Sequence, residues 1–341
     1  MKYRKLPSGL RVSEIGFGMW TVSTGWWGNY SDREAVRLLR EAFDLGITLF
    51  DAADTYGNGR SENLIRQAFG AEREQIVIAT KIGYNFLEHG NERRGQREIP
   101  QDFSVEAIRK ATDAALCRLG TETIDILQLH NIHMEQVHDD ALWETLEGLR
   151  SQGKIRLYGV SLGPAIGWLA EGVLAVQRRN PAVLQHIYNI LEQYPGTVIH
   201  QAAREKNAQT RFFIRVPHSS GMLEGHYTEE TVFQPDDHRS HRPRSWLVNG
   251  VKKVEQLRFL EVANRTLAQA ALLWLLAEDL VASTLPNIYN TEQLREFATA
   301  PDSPPLTAEE LECIRNLSTN NFGLEPEPVH FKGTMETIPV A

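Results

Sequence analysis

The order of hydrophobic patterns along this chain predicts an α/β fold, a (β/α)8 TIM-type barrel with an N-terminal β-hairpin and extra C-terminal helices. Three observations carry that expectation. Short apolar runs of the kind buried parallel strands need alternate with segments of helical period, eight times over. Strict alternation implies parallel strands joined by crossover helices, and eight units in 341 residues match a closed barrel better than an open sheet. The first strand-to-helix turn, Ile15-Gly16-Phe17-Gly18-Met19-Trp20-Thr21, lacks the third glycine of the fingerprint an open dinucleotide-binding sheet would show. The chain reads as one domain over 1–341, divided into a hairpin (1–13), a barrel (14–300) and a C-terminal helix and tail (301–341).

Taken in order, residues 3–6 and 10–12 flank Pro7-Ser8-Gly9 as a hairpin with a glycine-containing turn. A glycine-rich strand at 15–17 follows, where glycine can mark close approach of a ligand. Trp20, Trp26 and Trp27 crowd the next loop, either as a pocket wall or as a local hydrophobic lid. Ser31 with Glu34 has capping-box spacing, and Ala35, Leu38, Leu39, Ala42 and Phe43 then recur at helical period. Strand-like runs at 47–50, 76–80, 124–129, 155–160, 183–188, 211–216 and 281–285 complete the set of eight. The helical patterns after them lie at 61–69, 104–119, 138–151, 165–178, 198–207, 251–264 with 267–277, and 291–300. The seventh unit carries a long polar loop, 218–245, rich in His, Arg, Asp and Pro; loops of that length are usually functional or mobile. A last helix at 307–317 opens on Thr307 and Glu310 in capping-box spacing, and a tail rich in Pro and Gly, 320–341, is expected to drape over the surface.

Hydrophobic content of 42% and charged content of 23% describe an ordinary globular protein. A formal charge of −8 argues against nucleic acid or an anionic membrane as the main partner. The two cysteines, Cys117 and Cys313, form neither a disulfide framework nor a metal spacing, so reduced thiols and no metal centre are expected. The N-terminus lacks the apolar core of a signal peptide and no apolar run is long enough for a bilayer, which points to a cytoplasmic protein. Oligomeric state is left open.

In a barrel, residues at the carboxyl ends of different strands converge on one mouth. Here the second strand ends at Asp51, with Tyr56 on the loop after it; the third brings Lys81 and the fourth His130. The bland alternative for Asp51 and Lys81 is a buried pair that only stabilises the mouth. Together the four make a proton-transfer set. A phenol titrates near ~10 and is too weak an acid at neutral pH unless a neighbouring ammonium favours its ionised form. Asp51 can hold Lys81, and His130 can donate a hydrogen bond that fixes a substrate oxygen beside Tyr56. The set suits carbonyl reduction, with hydride delivered to carbon and a proton from Tyr56 to oxygen.

These residues lie in segments that resemble the aldo-keto reductase family. The matching pieces are Gly46-Ile-Thr-Leu-Phe-Asp51-Ala-Ala-Asp-Thr-Tyr56-Gly-Asn-Gly-Arg-Ser-Glu, Ile78-Ala-Thr-Lys81, Asp125-Ile-Leu-Gln-Leu-His130 and Gly153-Lys-Ile-Arg-Leu-Tyr-Gly-Val-Ser161. The resemblance runs nearly end to end and places the family's tetrad on Asp51, Tyr56, Lys81 and His130. It implies a metal-free barrel that binds NADP(H), or alternatively NAD(H), in an extended form. It also implies cofactor contacts from Gly18, Met19 and Trp20 near the first strand end, and from Ser161 and Gln185 on the nicotinamide carboxamide. Arg215 matches the position where an aromatic residue normally stacks on the nicotinamide, and a planar guanidinium can stack there. Beside an oxidised, positive nicotinamide it would favour the reduced form.

Pro217, His218, Ser219, Gly221 and Leu223 match the segment around the pyrophosphate. Pro286, Asn287, Tyr289, Gln293 and Glu296 match the adenosine region. Tyr289 replaces a basic residue there, and a 2′-phosphate wants Arg or Lys, for which Arg295, Arg239, Arg242 or Arg244 could compensate. Trp20, Trp26, Trp27 and Tyr84 are the expected substrate pocket, and the expected substrate is a small carbonyl compound or sugar. The alternatives are an NAD-dependent sugar or alcohol dehydrogenase, and a cofactor-binding regulatory subunit of the kind this family supplies to ion channels. A metal-dependent sugar isomerase is disfavoured by the missing ligand spacing.

Overall fold

The computed structural model describes residues 1–89, 98–235 and 237–336. Strands β1 (Tyr3–Lys5) and β2 (Arg11–Ser13) pair antiparallel as the expected hairpin. Eight parallel strands follow: β3 (Phe17–Gly18), β4 (Leu49–Asp51), β5 (Val77–Ile82), β6 (Ile124–His130), β7 (Ile155–Ser161), β8 (Val183–Ile187), β9 (Arg211–Arg215) and β10 (Val281–Leu285). Each is hydrogen-bonded to the next in chain order. Gly16 N–H donates to the Thr284 carbonyl and Thr284 N–H to the Glu14 carbonyl, both at 2.9 Å, so first and last strands meet and the barrel nearly closes.

The helices are α1 (Trp20–Ser23), α2 (Asp32–Asp44), α3 (Arg60–Phe69), α4 (Phe86–His89), α5 (Val105–Leu119), α6 (Met134–His138), α7 (Asp140–Ser151), α8 (Leu169–Leu174), α9 (Gly196–Glu205), α10 (Arg244–Glu255), α11 (Leu267–Leu276), α12 (Thr291–Thr299) and α13 (Ala308–Thr319). The expected capping boxes form at α2 and α13, where Ser31 and Thr307 accept from the backbone of Glu34 and Glu310. Among the described residues, no helix is long and apolar enough to cross a membrane.

Alternation along each strand divides the core in two. Leu49, Val77, Ile126, Leu157, Val183 and Phe213 fill the barrel interior, and Leu6 and Val12 of the hairpin plug it from the end where the strands begin. Phe50, Ile78, Leu127, Val160, Leu184 and Phe212 face the helices instead. With one end sealed, the mouth at the strand ends is the open face.

Several bounds differ from the pattern in the sequence. The helix expected at 251–264 begins earlier, as α10, because its buried face is Leu247, Gly250 and Val254. A Cβ at Gly250 would lie 2.3 Å from Cε of Met222, so this helix sits hard against the loop after β9. The pattern at 138–151 is the single helix α7, which starts two residues later because the Asp139 carboxylate caps it, accepting from Leu142 N–H at 3.3 Å; the short α6 lies just before it. The pattern at 165–178 becomes α8 plus a π-helical turn, Ala175–Arg179. The Trp loop contains the short helix α1, and only Phe17–Gly18 of the first strand joins the ladder. The tail runs over the surface as expected and is tied down there: Lys332 N–H donates to Ile166 O at 3.0 Å, and Trp168 N–H to Lys332 O at 2.7 Å. Its last residues, 337–341, lie outside the described residues.

On the outer face of β8, His186 meets His200 of α9 with their Nε2 atoms 2.9 Å apart, and His200 stacks on Phe212 at 4.0 Å. Both rings are buried, and that burial pushes both below the ordinary histidine value. Unfolded histidines take up protons near about pH 6.5, so below that pH the unfolded state binds more protons and stability falls with acid. Urea midpoints should therefore be flat above about pH 7 and fall through the range below about 6.5. The variant His200→Phe should show a visibly shallower fall; an unchanged slope would count against the pair as its source.

Candidate active site

Asp51, Lys81, His130, Ser161, Gln185 and Arg215 come from six successive strands, at or near their carboxyl ends. Lys81 is fully buried, and its Nζ donates to Asp51 Oδ2 at 2.6 Å and to the Ala52 carbonyl at 2.8 Å. The other Asp51 oxygen accepts from Gln128 Nε2 at 3.2 Å and Gln185 Nε2 at 3.0 Å. Ser161 Oγ in turn donates to Gln185 Oε1 at 3.2 Å. A buried ion pair survives only when its remaining lone pairs and protons are satisfied, and here two amides supply that. Gln128 is missing from the residues singled out in the sequence. It stands two places before His130 on β6, so the period-2 rule already puts it on the same inward face.

The loop after β4 places the Tyr56 ring centroid 4.9 Å from Lys81 Nζ, 4.9 Å from the Trp20 ring and 5.9 Å from the His130 ring. The loop can take this path because Gly57 adopts φ +62° and passes close to α1; a Cβ there would sit 2.4 Å from the Ser23 carbonyl oxygen. Ser61 anchors the far side, donating from Oγ to Ala53 O at 2.8 Å. Beneath the loop, burial and the nearby Glu62 push the Asp54 carboxyl well above its ordinary range. Glu62 itself is paired with Arg118 Nε at 2.5 Å and accepts from Thr80 Oγ1 at 2.6 Å. His130 stands edge-on between Tyr56 and Tyr84, and Asn131 Nδ2 donates to the Tyr84 hydroxyl at 2.8 Å. The four residues of the proposed tetrad thus share one rim.

Of the expected pocket aromatics, Trp20 packs on Tyr56, Trp26 on Trp20 at 5.4 Å, and Tyr84 on His130. Trp27 turns elsewhere. It stacks on His238 at 5.5 Å, lies under the Arg239 guanidinium at 5.0 Å and meets Tyr289 at 5.3 Å. Through these contacts the long loop after β9 crosses to the loop after β3. Trp168, 5.0 Å from His133 and tied to the tail, adds an aromatic that the sequence does not mark.

The positions matched to a dinucleotide lie at strand ends, in the loops after β9 and β10, and on α12. Arg215 Nη2 donates to Leu162 O at 2.9 Å, and its Nε is buried without a hydrogen-bond partner. Burial pushes this guanidinium below the ordinary arginine value, against the pull of Tyr56, Asp51 and Tyr84 around it. Beyond it, Val216, Ser219, Ser220 and Gly221 all take positive φ, between +47° and +90°. Such turns build backbone concavities that favour anions. Arg242 Nη2 reaches this loop, 3.2 Å from Ser220 Oγ. Gly18 and Pro286 approach each other across β3 and β10. Tyr289 N–H donates to Gln293 Oε1 at 3.0 Å, and burial pushes the Tyr289 phenol well above its ordinary value.

Some matched side chains turn elsewhere. Met19 and Leu223 are fully buried in apolar clusters, so only their backbones are available to a ligand. His218 turns inward beside Pro217, with Nε2 on Ala268 O at 3.1 Å and its ring on Phe297, and burial pushes it down to about 4. Glu296 accepts from Thr266 Oγ1 at 2.6 Å and so faces α11.

A nearly closed parallel barrel with an Asp–Lys pair, a phenol and an imidazole at its mouth defines an oxidoreductase site of the aldo-keto type. The model of the aldo/keto reductase family matches residues 14–319, and the chain belongs to that family. It is similar to the uncharacterized oxidoreductase YqkF of Bacillus subtilis, 30% identical over 93% of this chain and 96% of the relative. It is also similar to the NADH-specific methylglyoxal reductase of Escherichia coli K12, 28% identical over 87% of this chain and 93% of the relative. Among solved structures, the holo form of aldo-keto reductase AKR11C1 from Bacillus halodurans superposes with TM-score 0.74 at 28% identity, covering 93% of this chain and 96% of that one.

Because Lys81 is fully enclosed, removing its counter-ion strands a buried charge. Asp51→Ala should lose about 3–5 kcal/mol in urea unfolding, the usual effect of halving a buried pair. The double variant Asp51→Leu with Lys81→Met should recover much of that loss. A single variant as stable as the parent would show that the pair does not support the mouth.

Proposed function

We propose that this chain reduces aldehydes, ketones or sugar carbonyls to alcohols using NADPH or NADH, with Tyr56 as proton donor. The observation that carries this reading is the Tyr56 phenol packed beside the Lys81 ammonium with the His130 ring 5.9 Å from it. The site residues fit a nicotinamide dinucleotide at two points. The Ser161–Gln185 pair offers a hydroxyl and an amide to a carboxamide, and the turned backbone after β9, with Arg242 beside it, suits a pyrophosphate. When bound, the cofactor supplies hydride to the carbonyl carbon.

The chain's own residues do the rest. His130 donates to the carbonyl oxygen and holds it toward Tyr56. The Tyr56 hydroxyl passes its proton to that oxygen as negative charge gathers there. Lys81, fixed by Asp51 and the Ala52 carbonyl, places a positive charge where the phenolate forms and needs no reorganisation to do so. Trp20, Trp26 and Tyr84 wall the cavity with faces suited to sugars and small carbonyls, in keeping with the methylglyoxal reductase among the relatives. The chain works as one barrel domain, and its net charge of −8 suits a cytoplasmic enzyme with no nucleic-acid or membrane partner.

Arg215 favours the reductive direction. A guanidinium that close to Tyr56 and Asp51, with no acid salt-bridged to it among the described residues, opposes the positive ring of an oxidised nicotinamide. Arg215→Tyr should narrow the difference between the dissociation constants of oxidised and reduced cofactor, read by equilibrium fluorescence; an unaltered ratio would remove Arg215 from the argument. Tyr56→Phe should lower kcat by about 10²–10⁴ with cofactor affinity near that of the parent. Turnover retained in that variant would reject the assignment of the proton donor.

A further inference from the structure

Among the residues matched to the adenosine region, Gln293 holds a mostly enclosed acid, whereas a 2′-phosphate bound there would need a base. The basic side chains that could replace the missing one at Tyr289 are mostly committed elsewhere. Arg295 pairs with Glu41 at 2.9 Å, Arg244 donates to Thr231 O at 2.9 Å, and Arg239 is held by both oxygens of Asp237 at 2.6–2.9 Å and by the Tyr227 hydroxyl at 2.5 Å. Arg242 reaches the neighbouring loop at Ser220 and stacks over Trp246.

What stands beside Gln293 and Tyr289 is Glu224, on the 3-10 turn Met222–Glu224 at the end of the turned loop. Its side chain is 12% exposed, and Oε2 accepts from Gln293 Nε2 at 2.8 Å. Gln293 Oε1 is already taken by Tyr289 N–H, so this amide can give Glu224 a donor but cannot offer an acceptor free of other claims. Burial pushes Glu224 up to about 7, with Glu296 adding to the rise and Gln293 and Arg239 opposing it. The His218 imidazole stands 4.0 Å from the other oxygen, but burial pushes that ring down to about 4, so the mostly enclosed carboxylate gains most from further O–H donors and loses most from a second anion.

We propose that Glu224 accepts hydrogen bonds from the adenosine ribose hydroxyls of the bound dinucleotide and so selects NADH over NADPH. The proposal rests on the reading that the site binds a nicotinamide dinucleotide, and it deepens that reading by fixing which one. An unmodified ribose presents two hydroxyls to the carboxylate. A 2′-phosphate in the same place replaces one of those donors with a group carrying about −2 charge and sets it against a carboxylate in a poorly solvated pocket. The pyrophosphate end is common to both cofactors, so the difference lies wholly at this residue's end of the groove.

The test is equilibrium binding on the full chain, read by quenching of tryptophan fluorescence. NADH should bind about 10- to 100-fold tighter than NADPH. In Glu224→Gln the ratio should fall at least about tenfold, by weaker NADH binding, tighter NADPH binding or both. Competition on the unaltered chain gives a second readout that needs no variant: 5′-AMP should displace NADH better than 2′,5′-ADP does. NADPH binding as tight as NADH, or a ratio unchanged in a folded Glu224→Gln, would overturn the proposal while leaving the reductase reading in place. Failure to bind either dinucleotide would overturn both.

Discussion

Burying a lysine at the centre of a barrel mouth is the constraint around which the rest is arranged. An isolated ammonium in that position would cost several kcal/mol in lost hydration, so the chain must bring it a counter-ion and acceptors within hydrogen-bond reach. Asp51 supplies one oxygen to Lys81 and keeps the other occupied with Gln128 and Gln185, while Ala52 contributes its carbonyl. These ties join β4, β5, β6 and β8, and Ser161 extends them to β7. Register across the sheet is therefore fixed by polar contacts at the top as well as by apolar packing below. A slip of one residue in any of these strands would turn its polar group to the helix side and leave a buried charge unmatched.

That coupling explains why the polar rim was legible in the sequence. Each of Asp51, Lys81 and His130 ends or nearly ends an apolar run, and a polar residue there stands out against Val and Ile. Tyr56 was visible for a different reason: it lies in a glycine-rich loop between a strand and a helix. Gln128 was harder to see, since an amide inside a strand carries no charge to draw attention, although its spacing from His130 gives its facing. The eight strands were legible for the same reason as the rim, because they are short and apolar and recur with helices between them.

Helix bounds were most legible where local chemistry sets them, although α3 keeps its expected bounds to within one residue without a side-chain cap. The starts of α2 and α13 are fixed by Ser or Thr with Glu three residues on, and both appear where expected. The start of α10 depends on how closely Gly250 approaches Met222, a contact with the preceding loop that periodicity cannot express. The start of α8 coincides with the return of the tail, where Lys332 pairs with residues 166 and 168 and Thr334 N–H meets Glu171. The long loop after β9 was recognisable as unusual, yet its partners were not, because the stacking of His238 and Arg239 on Trp27 joins segments far apart in sequence.

The charges along the groove are not laid out as stability alone would have them. At the mouth, Arg215 is enclosed with a backbone carbonyl as its hydrogen-bond acceptor, and among the described residues no carboxylate forms a salt bridge with it. At the other end, Glu224 is mostly enclosed with an amide as its partner. Each ion is enclosed with less compensation than the Asp51–Lys81 pair receives. A chain with only about 5–15 kcal/mol of net stability gives up a measurable share of it at each such group. Ions kept in that condition are better understood through what docks against them than through what they hold together. The contrast is between an ion pair at the mouth whose charges are satisfied on every side and two ions of opposite sign with fewer partners, so the pair supports the barrel and the two ions do little for it.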